Sequence, residues 1–104
     1  MARYPHPRLD DVPLEAALHA LADPCRLGIV RRLAGEGGEL SCQSAAQADE
    51  VPKSTLSNHF KILRGAGLVQ TRPAGREYLN VLRREEFDAR FPGLLDLALA
   101  EAAR

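Results

Sequence analysis

Apolar residues recur along this chain with two different spacings. Over 14–33, 54–66 and 94–102 they return every three or four positions, which predicts amphipathic α-helices. The segments LVQTR and REYLNVL are instead strand-like in composition, and the turn Pro73-Ala74-Gly75 lies between them, which predicts a β-hairpin. The pattern therefore predicts a mainly α chain with one small β-hairpin.

Proline, glycine and short polar residues divide the N-terminal helical segment. Pro13 suits the first turn of a helix that ends near Leu21, and Asp23-Pro24 supplies an N-cap and a first residue for a second helix. Gly35 is expected to end that second helix. Two successive helices are thus predicted before the loop EGGE.

A short helix, a tight turn and a longer helix are predicted next. The short helix lies in SCQSAAQADEV, with Ser41 or Ser44 as its cap. Val51-Pro52 interrupts it, because the residue before a proline disfavours the helical conformation. The longer helix runs from Ser54 to about Ala66 and is closed by two glycines.

This order of elements predicts a winged helix-turn-helix fold. The short helix, the turn and the longer helix with its polar outer face form a helix-turn-helix, and the hairpin after it forms a wing. A chain of 104 residues supports one domain, in which residues 1–12 are an N-terminal arm. No apolar run reaches membrane-spanning length and the N-terminus lacks the apolar stretch of a signal peptide, so a cytoplasmic protein is expected.

The net charge of zero hides an uneven distribution of charge. Residues 53–84 contain seven cations and one anion, whereas the rest of the chain contains seven cations and thirteen anions. A basic stretch in a balanced chain is typical of a nucleic-acid-binding face. A solvated basic surface gives the same count, so charge alone leaves both interpretations open.

The longer helix of the predicted helix-turn-helix, from Ser54 to about Ala66, is the predicted recognition helix. It carries its polar side chains on one face. With Leu56, Phe60 and Leu63 inside, a step of about 100° per residue turns a polar row outward. Asn58 in that row suits a bidentate contact with adenine, whereas lysine and arginine side chains suit phosphates. The predicted DNA-binding residues are Lys53, Ser54, Thr55, Ser57, Asn58, Lys61 and Arg64 on the helix, and Arg72 and Arg76 on the wing.

Three blocks of the sequence resemble those of a known family. ALADPCRLGIVRRL, STLSNHFKILRGAGLV and TRPAGREYLNVL, in this order and spacing, are similar to the ArsR/SmtB family of winged helix-turn-helix repressors over roughly residues 14–83. The resemblance implies a homodimeric transcriptional repressor whose second helix-turn-helix helix lies in the major groove of a pseudo-palindromic operator. It also implies dimerisation through the terminal helices, with residues 84–104 as the C-terminal dimerisation helices.

The apolar faces of the terminal helices favour the same assembly. They are broader than one core of this size can absorb, although they could also cover each other within a monomer. The predicted interface residues are Leu14, Leu18, Leu94, Leu95, Ala98 and Leu99.

No metal site and no cofactor are predicted. The resemblance implies a C-x-C pair near the start of the first helix-turn-helix helix, but Ser41 and Gln43 occupy those two positions and Cys42 lies between them. A second metal site of the family includes a histidine on the C-terminal helix, and no histidine follows Arg84.

More than one role is open for each of the two cysteines and for one histidine. Cys25 and Cys42 are expected as thiols, either as small packed side chains or as a redox or soft-metal sensor. His59 is expected to be a packed structural histidine, with DNA contact as the second interpretation. It is not expected to bind metal, because no cysteine or carboxylate lies three or four residues away.

The leading hypothesis is a DNA-binding repressor of unidentified inducer. The alternatives are a thiol- or metal-responsive sensor and a winged-helix module that binds an acidic protein. An enzyme is not expected, because the chain has no glycine-rich phosphate loop and no pairing of a nucleophile with a base.

Overall fold

Six α-helices and three β-strands make up the part of the chain that a computed structural model describes, residues 4–36, 38–46 and 51–102. A 3-10 turn, Leu9–Asp11, precedes the first helix. The helices are α1 Leu14–Leu21, α2 Pro24–Glu36, α3 Cys42–Ala46, α4 Lys53–Gly65, α5 Arg84–Arg90 and α6 Leu94–Ala102. The strands are β1 Leu40–Ser41, β2 Val69–Ala74 and β3 Glu77–Leu82.

The predicted helix starts agree with the caps in the structure. Asp23 Oδ2 accepts the backbone N–H of Arg26 at 3.0 Å, which satisfies one free donor of the first turn of α2. Ser41 Oγ accepts the backbone N–H of Ser44 at 3.2 Å and caps α3. The predicted end of α3 at 47–50 lies outside the described residues.

The predicted end of α2 at Gly35 lies one residue before the end in the structure. The helix continues to Glu36, because Gly35 does not adopt the left-handed conformation that terminates a helix. Gly67 does adopt it, with φ of 75°, in the segment that follows α4.

The wing contains one strand more than the predicted hairpin. The strand order is β1-β3-β2, antiparallel throughout, and Leu40 of β1 pairs with Asn80 of β3. A strand of two residues is too short to show an alternating pattern in the sequence. The wing-tip turn is Gly75-Arg76, and Pro73 lies within β2, where it is tolerated because β2 is an edge strand.

The core forms around α2, which packs against α1, α3, α4 and α6. Its Ile29 and Val30 are fully buried, as are Phe60 and Leu63 of α4 and Phe87 of α5. Burial of this face of α4 turns the opposite face of the helix to solvent. The core therefore determines which side chains of α4 are accessible.

The predicted N-terminal arm packs on the domain over its described residues 4–12. Leu9 and Val12 are buried, and the Arg90 guanidinium donates hydrogen bonds to both of their carbonyl oxygens at 3.1 and 3.0 Å. No helix in the described ranges combines the length and the apolar character needed to cross a bilayer.

Candidate nucleic-acid interface

Helix α4 presents the predicted polar row to solvent. Leu56, Phe60 and Leu63 lie on the buried face of the helix, so the side chains between them point away from the core. The exposed residues of the row are Lys53, Ser54, Thr55, Ser57, Asn58 and Lys61. The structure thus brings six of the nine predicted DNA-binding residues together on one accessible face.

Arg64 lies outside this row. Its side chain is only 8% exposed, its guanidinium lies 3.8 Å from the centroid of the Tyr4 ring, and Nη1 donates a hydrogen bond of 3.4 Å to Thr71 Oγ1. The structure contradicts its assignment as a phosphate contact, because the last turn of α4 faces the N-terminal segment and β2 instead of solvent.

The two arginines of the wing differ in their surroundings. Arg72 makes a bidentate ion pair with Glu39, with Nε–Oε2 and Nη2–Oε1 distances of 2.5 and 2.7 Å. These hydrogen bonds lower the pKa of the Glu39 carboxyl and raise the pKa of the Arg72 guanidinium. Arg76 lies exposed in the wing-tip turn. The tip of the wing therefore offers an accessible cation, whereas Arg72 is held by the loop before β1.

Ion pairing reduces the basic stretch to a smaller set of accessible cations. Arg83 pairs with Glu86, and Arg84 pairs with both Asp88 and Asp96. Within the described ranges, three of the seven cations of residues 53–84 have neither a hydrogen-bond nor an ion-pair partner, and these are Lys53, Lys61 and Arg76. They lie on α4 and at the wing tip.

The buried side chain of Arg26 connects α1 and α2 to α4. Arg26 of α2 donates to the carbonyl oxygens of Ala20 and His19, both at 2.9 Å, and its Nη1 lies 3.2 Å from His59 Nδ1. It therefore satisfies free carbonyls at the end of α1 and fixes the imidazole on α4. The contact confirms His59 as a packed, hydrogen-bonded histidine.

Three potential metal ligands nevertheless meet beside Arg26. Donor atoms of Asp23, Cys25 and His59 lie within 4.8 Å of one another, and His59 Nε2 is 4.0 Å from Asp23 Oδ2. The spacing of residues along α4 does not reveal this cluster, because the start of α2 supplies the other two donors. The carboxyl of Asp23 has a lowered pKa, chiefly because it accepts the backbone N–H of Arg26.

The arrangement around His59 opposes a metal ion. The guanidinium of Arg26 can only donate hydrogen bonds, so His59 Nδ1 must be the acceptor of this one. In a neutral imidazole ring the single proton therefore lies on Nε2. A metal ion could bind Nε2 only if the ring proton moved to Nδ1. There the proton would point at the Arg26 guanidinium and remove the hydrogen bond between them. These three residues are better described as a polar contact between α2 and α4.

The two cysteines are free thiols in different surroundings. Cys25 lies beside Asp23 and His59, whereas Cys42 begins α3 and its Sγ accepts a hydrogen bond of 3.3 Å from Asn80 Nδ2. A sensory role for either thiol stays a prediction.

A buried polar network that the sequence did not predict joins the three strands of the wing, the N-terminal segment and, through the hydrogen bond from Asn80 to Cys42, α3. Thr71 Oγ1 donates to Asn80 Oδ1 at 2.6 Å, and Asn80 Nδ2 donates to the Leu40 carbonyl oxygen at 3.2 Å. The backbone N–H of Thr71 donates to His6 Nε2 at 3.0 Å. Thr71 and Asn80 lie directly opposite each other in the hairpin. Two polar residues at facing positions on an otherwise apolar face are the feature of the sequence from which this network could have been predicted.

The terminal helices expose part of their apolar faces. Leu14 and Leu18 of α1 are 50% and 47% exposed, and Leu97 of α6 is 62% exposed. Leu94, Ala98 and Leu99 are half-buried. The prediction that Leu95 lines a dimer interface disagrees with the structure, because its side chain is fully buried in the core of its own chain.

Comparison with known proteins identifies the same architecture. A helix-turn-helix domain model matches residues 21–72. The uncharacterized HTH-type transcriptional regulator YceK of Bacillus subtilis is 40% identical over 87 residues, which cover 84% of this chain and 87% of that protein.

Solved structures agree with these sequence comparisons. An ArsR family transcriptional regulator superimposes with a TM-score of 0.65 at 26% identity, covering 86% of this chain and 91% of that one. The transcriptional repressor BigR from Xylella fastidiosa superimposes with a TM-score of 0.58 at 27% identity, covering 74% and 78% of the two chains.

Proposed function

This chain belongs to the ArsR family of winged helix-turn-helix transcriptional regulators, which bind DNA, and from that premise we propose that it is a homodimeric repressor of a pseudo-palindromic operator. The observation that carries the proposal is the exposed polar row of α4, whose cations are unpaired within the described ranges. Asn58 supplies base readout, while Lys53, Lys61 and Arg76 contact phosphates.

The size of the chain supports the proposed dimer on duplex DNA. Each described chain measures 35 × 31 × 23 Å, so a twofold pair of such chains has room for two α4 helices about one helical turn, ~34 Å, apart. Two half-sites specify a longer sequence than one, and a self-complementary interface of α1 and α6 imposes the twofold symmetry on the operator.

Repression is the simplest outcome of this binding mode. A bound dimer occupies promoter DNA and excludes other proteins from it, and one structural relative, BigR, is described as a transcriptional repressor. A non-enzymatic role and a cytoplasmic location, where bacterial DNA lies, are parts of the same proposal. Neither requires a metal or a cofactor.

The decisive experiment compares two duplexes with one protein. One is selected by the unaltered protein from a random DNA library, and the other is unrelated in sequence. We expect the selected duplex to bind about 10³-fold more tightly or better, with an affinity that falls steeply as salt increases. Equal affinity for both duplexes would contradict an operator-binding function and favour the protein-binding module.

A set of charge variants localises the interface. Lys53→Ala, Lys61→Ala and Arg76→Ala should each weaken binding to both duplexes. Each should also reduce the salt slope by about 1 per chain, and so by about 2 for the dimer, the change expected when one phosphate per chain is no longer neutralised. Arg8→Ala is the matched control, because Arg8 is an exposed cation outside the proposed interface. A loss of affinity with Arg8→Ala as large as with Lys61→Ala would show that net charge, not this face, determines binding.

A further inference from the structure

Among the residues that the structure describes, Arg64 is a buried cation without an anionic partner. None of the ion pairs of the described residues includes it; its guanidinium lies over the Tyr4 ring and donates a hydrogen bond to the Thr71 hydroxyl. Burial lowers the pKa of its guanidinium, since desolvation disfavours the charged form. Removing a charge from water without pairing it is costly, so the surroundings of Arg64 are suited to an anion that the described residues do not supply.

Two cavities lie against this guanidinium. The first has a volume of about 240 Å³ and lies between α3 and α4, the two helices of the helix-turn-helix. The second, of about 660 Å³, lies between the N-terminal segment and the outer face of α4. Tyr4, Ser57 and Arg64 line both cavities, so the Tyr4 ring is a shared wall above the cation.

The lining of the first cavity has the chemistry of a site for organic acids. Its floor is apolar, formed by Val51, Leu56 and Phe60. Its polar groups are mostly donors, from Gln43, Lys53, Ser57 and Arg64, and no carboxylate occurs among the lining residues that the structure describes. Planar guanidinium groups bind carboxylates through two parallel hydrogen bonds.

We propose that this cavity binds a small organic acid, with its carboxylate on Arg64 and its apolar body against Leu56 and Phe60, and that binding releases DNA. The second part rests on the proposed DNA-binding function. Lys53 and Ser57 line the cavity and also belong to the exposed row of α4. An acid that engages them competes with DNA for the same side chains, which makes the two ligands mutually antagonistic.

The test uses the full chain and three acids, each paired with its uncharged amide. The acids are acetate, hexanoate and benzoate, and the amides are acetamide, hexanamide and benzamide. Binding is followed without DNA from backbone amide NMR shifts. We expect at least one acid, but not its amide, to shift the signals of Cys42, Ser57 and Arg64, and the acid with an apolar body to bind better than acetate.

Two variants separate the site from general charge effects. Arg64→Met should bind the acid at least tenfold more weakly, whereas Arg76→Met, which removes an exposed cation of the wing, should bind it normally. If Arg64→Met fails to fold, Arg64→Lys retains the charge and should still prefer the acid to the amide, with reduced affinity. No shift with any acid, or equal binding of acid and amide, overturns the proposal.

A separate DNA measurement distinguishes this proposal from the function on which it rests. Saturating acid should weaken binding of the selected duplex at least fivefold in the unaltered protein and less than twofold in Arg64→Met. Acid binding at Arg64 without any sequence-specific DNA binding would refute the proposed function and leave the site intact. Specific DNA binding that is abolished in Arg64→Met, together with no acid binding, would instead identify Arg64 as support for the DNA interface.

Discussion

Side chains on the same face of α4 have different capacities to distinguish bases. The amide of Asn58 offers both a donor and an acceptor, which matches the major-groove edge of adenine, whereas the ammonium of Lys61 offers only donors and positive charge. Both are exposed and about one helical turn apart. Their substitution by alanine therefore separates sequence readout from attraction to phosphate.

We predict that Asn58→Ala weakens binding to the selected duplex by about 1–3 kcal/mol and leaves binding to an unrelated duplex nearly unchanged. Lys61→Ala should weaken both. Titrations of the two duplexes at several salt concentrations measure this difference. An equal loss of affinity on both duplexes for Asn58→Ala would remove it from the base-reading group.

Gly67 is constrained by both its backbone conformation and its neighbour. Its φ is 75°, and a Cβ at this position would lie 2.7 Å from Cδ1 of Leu9. We predict that Gly67→Ala lowers the free energy of unfolding by about 2 kcal/mol or more, because it combines backbone strain with overpacking. Denaturant unfolding measures this decrease.

Gly65 is the matched control for Gly67. It lies two residues earlier, at the end of α4, and nothing lies within 4 Å of the position its Cβ would take. Gly65→Ala should be neutral or stabilise the protein by up to about 1 kcal/mol. If both variants are destabilised equally, general helix effects and not the Leu9 contact explain the result.

Between elements, the wing is tied to the rest of the domain through Glu39. This carboxylate, in the loop before β1, holds Arg72 of β2 in a bidentate ion pair. The pair orients the wing but also offsets a cation that would otherwise face DNA phosphates. Its strength depends on an ionised Glu39, whose lowered pKa keeps the pair intact until the pH falls below the ordinary range of a glutamate.

We predict that Glu39→Gln raises affinity for unrelated DNA several-fold and steepens the salt slope by about 1 per chain, because Arg72 is released. Arg72→Gln in the same background should reverse the gain. Glu15→Gln, which removes an exposed carboxylate of α1, is the control for net charge. The same gain with Glu15→Gln would contradict a specific role for the Glu39–Arg72 pair.

The N-terminal segment is docked on the wing by a neutral histidine. His6 Nε2 accepts the backbone N–H of Thr71, and the pKa of His6 is lowered by burial and by the nearby Arg83 and Arg64. The unfolded histidine has an ordinary pKa near 6.5. As the pH falls below that value the unfolded or undocked form gains protons first, so docking is complete above it and weakens below it.

We predict that protection of the Thr71 amide against hydrogen exchange decreases as the pH falls below about 6.5. In His6→Gln, whose side chain accepts the same hydrogen bond without titrating, protection should stay constant over this range. Exchange rates corrected for their intrinsic pH dependence provide the measurement. An unaltered pH response in His6→Gln would assign the titration to another group.

In the complete domain, each of the terminal helices α1 and α6 has one face in the core and one apolar face exposed to solvent. Their inner residues, Ala17 and Leu95 among them, complete the core around α2, while Leu18 and Leu97 remain exposed. An apolar side chain left in water on each of two helices is consistent with a second copy of the chain as the proposed partner. The proposed interface therefore keeps Leu14 and Leu18 and the half-buried Leu94, Ala98 and Leu99, adds Leu97, and excludes Leu95.

We predict that Leu18→Glu combined with Leu97→Glu yields folded monomers that bind a single half-site weakly, because charges at exposed positions disturb the interface without entering the core. Sedimentation at micromolar concentration measures the assembly, and circular dichroism measures the fold. Leu95→Glu should instead unfold the chain. A monomeric unaltered protein at high concentration would refute the dimer.

Local sequence features were sufficient to establish the order of elements and the outward face of α4. Helical periodicity, the Asp23-Pro24 start and the Val51-Pro52 break each involve neighbouring residues, so they could be recognised without knowledge of the fold. Since Leu56, Phe60 and Leu63 define one stripe, the opposite face of α4 followed from helix geometry alone. The resemblance to a family rested on the same local blocks.

The identity of the free charges and polar groups, by contrast, depended on the folded chain. Arg64 and Arg76 are both arginines of one basic stretch, yet the first is buried beneath Tyr4 and the second is exposed at the wing tip. Arg72 is paired with Glu39, 33 residues away. Partners that are distant in sequence meet only after the chain has folded, so no spacing rule reveals them. The burial of Leu95 depends on packing in the core, and the strand β1 depends on pairing with β3, so neither could be predicted from neighbouring residues.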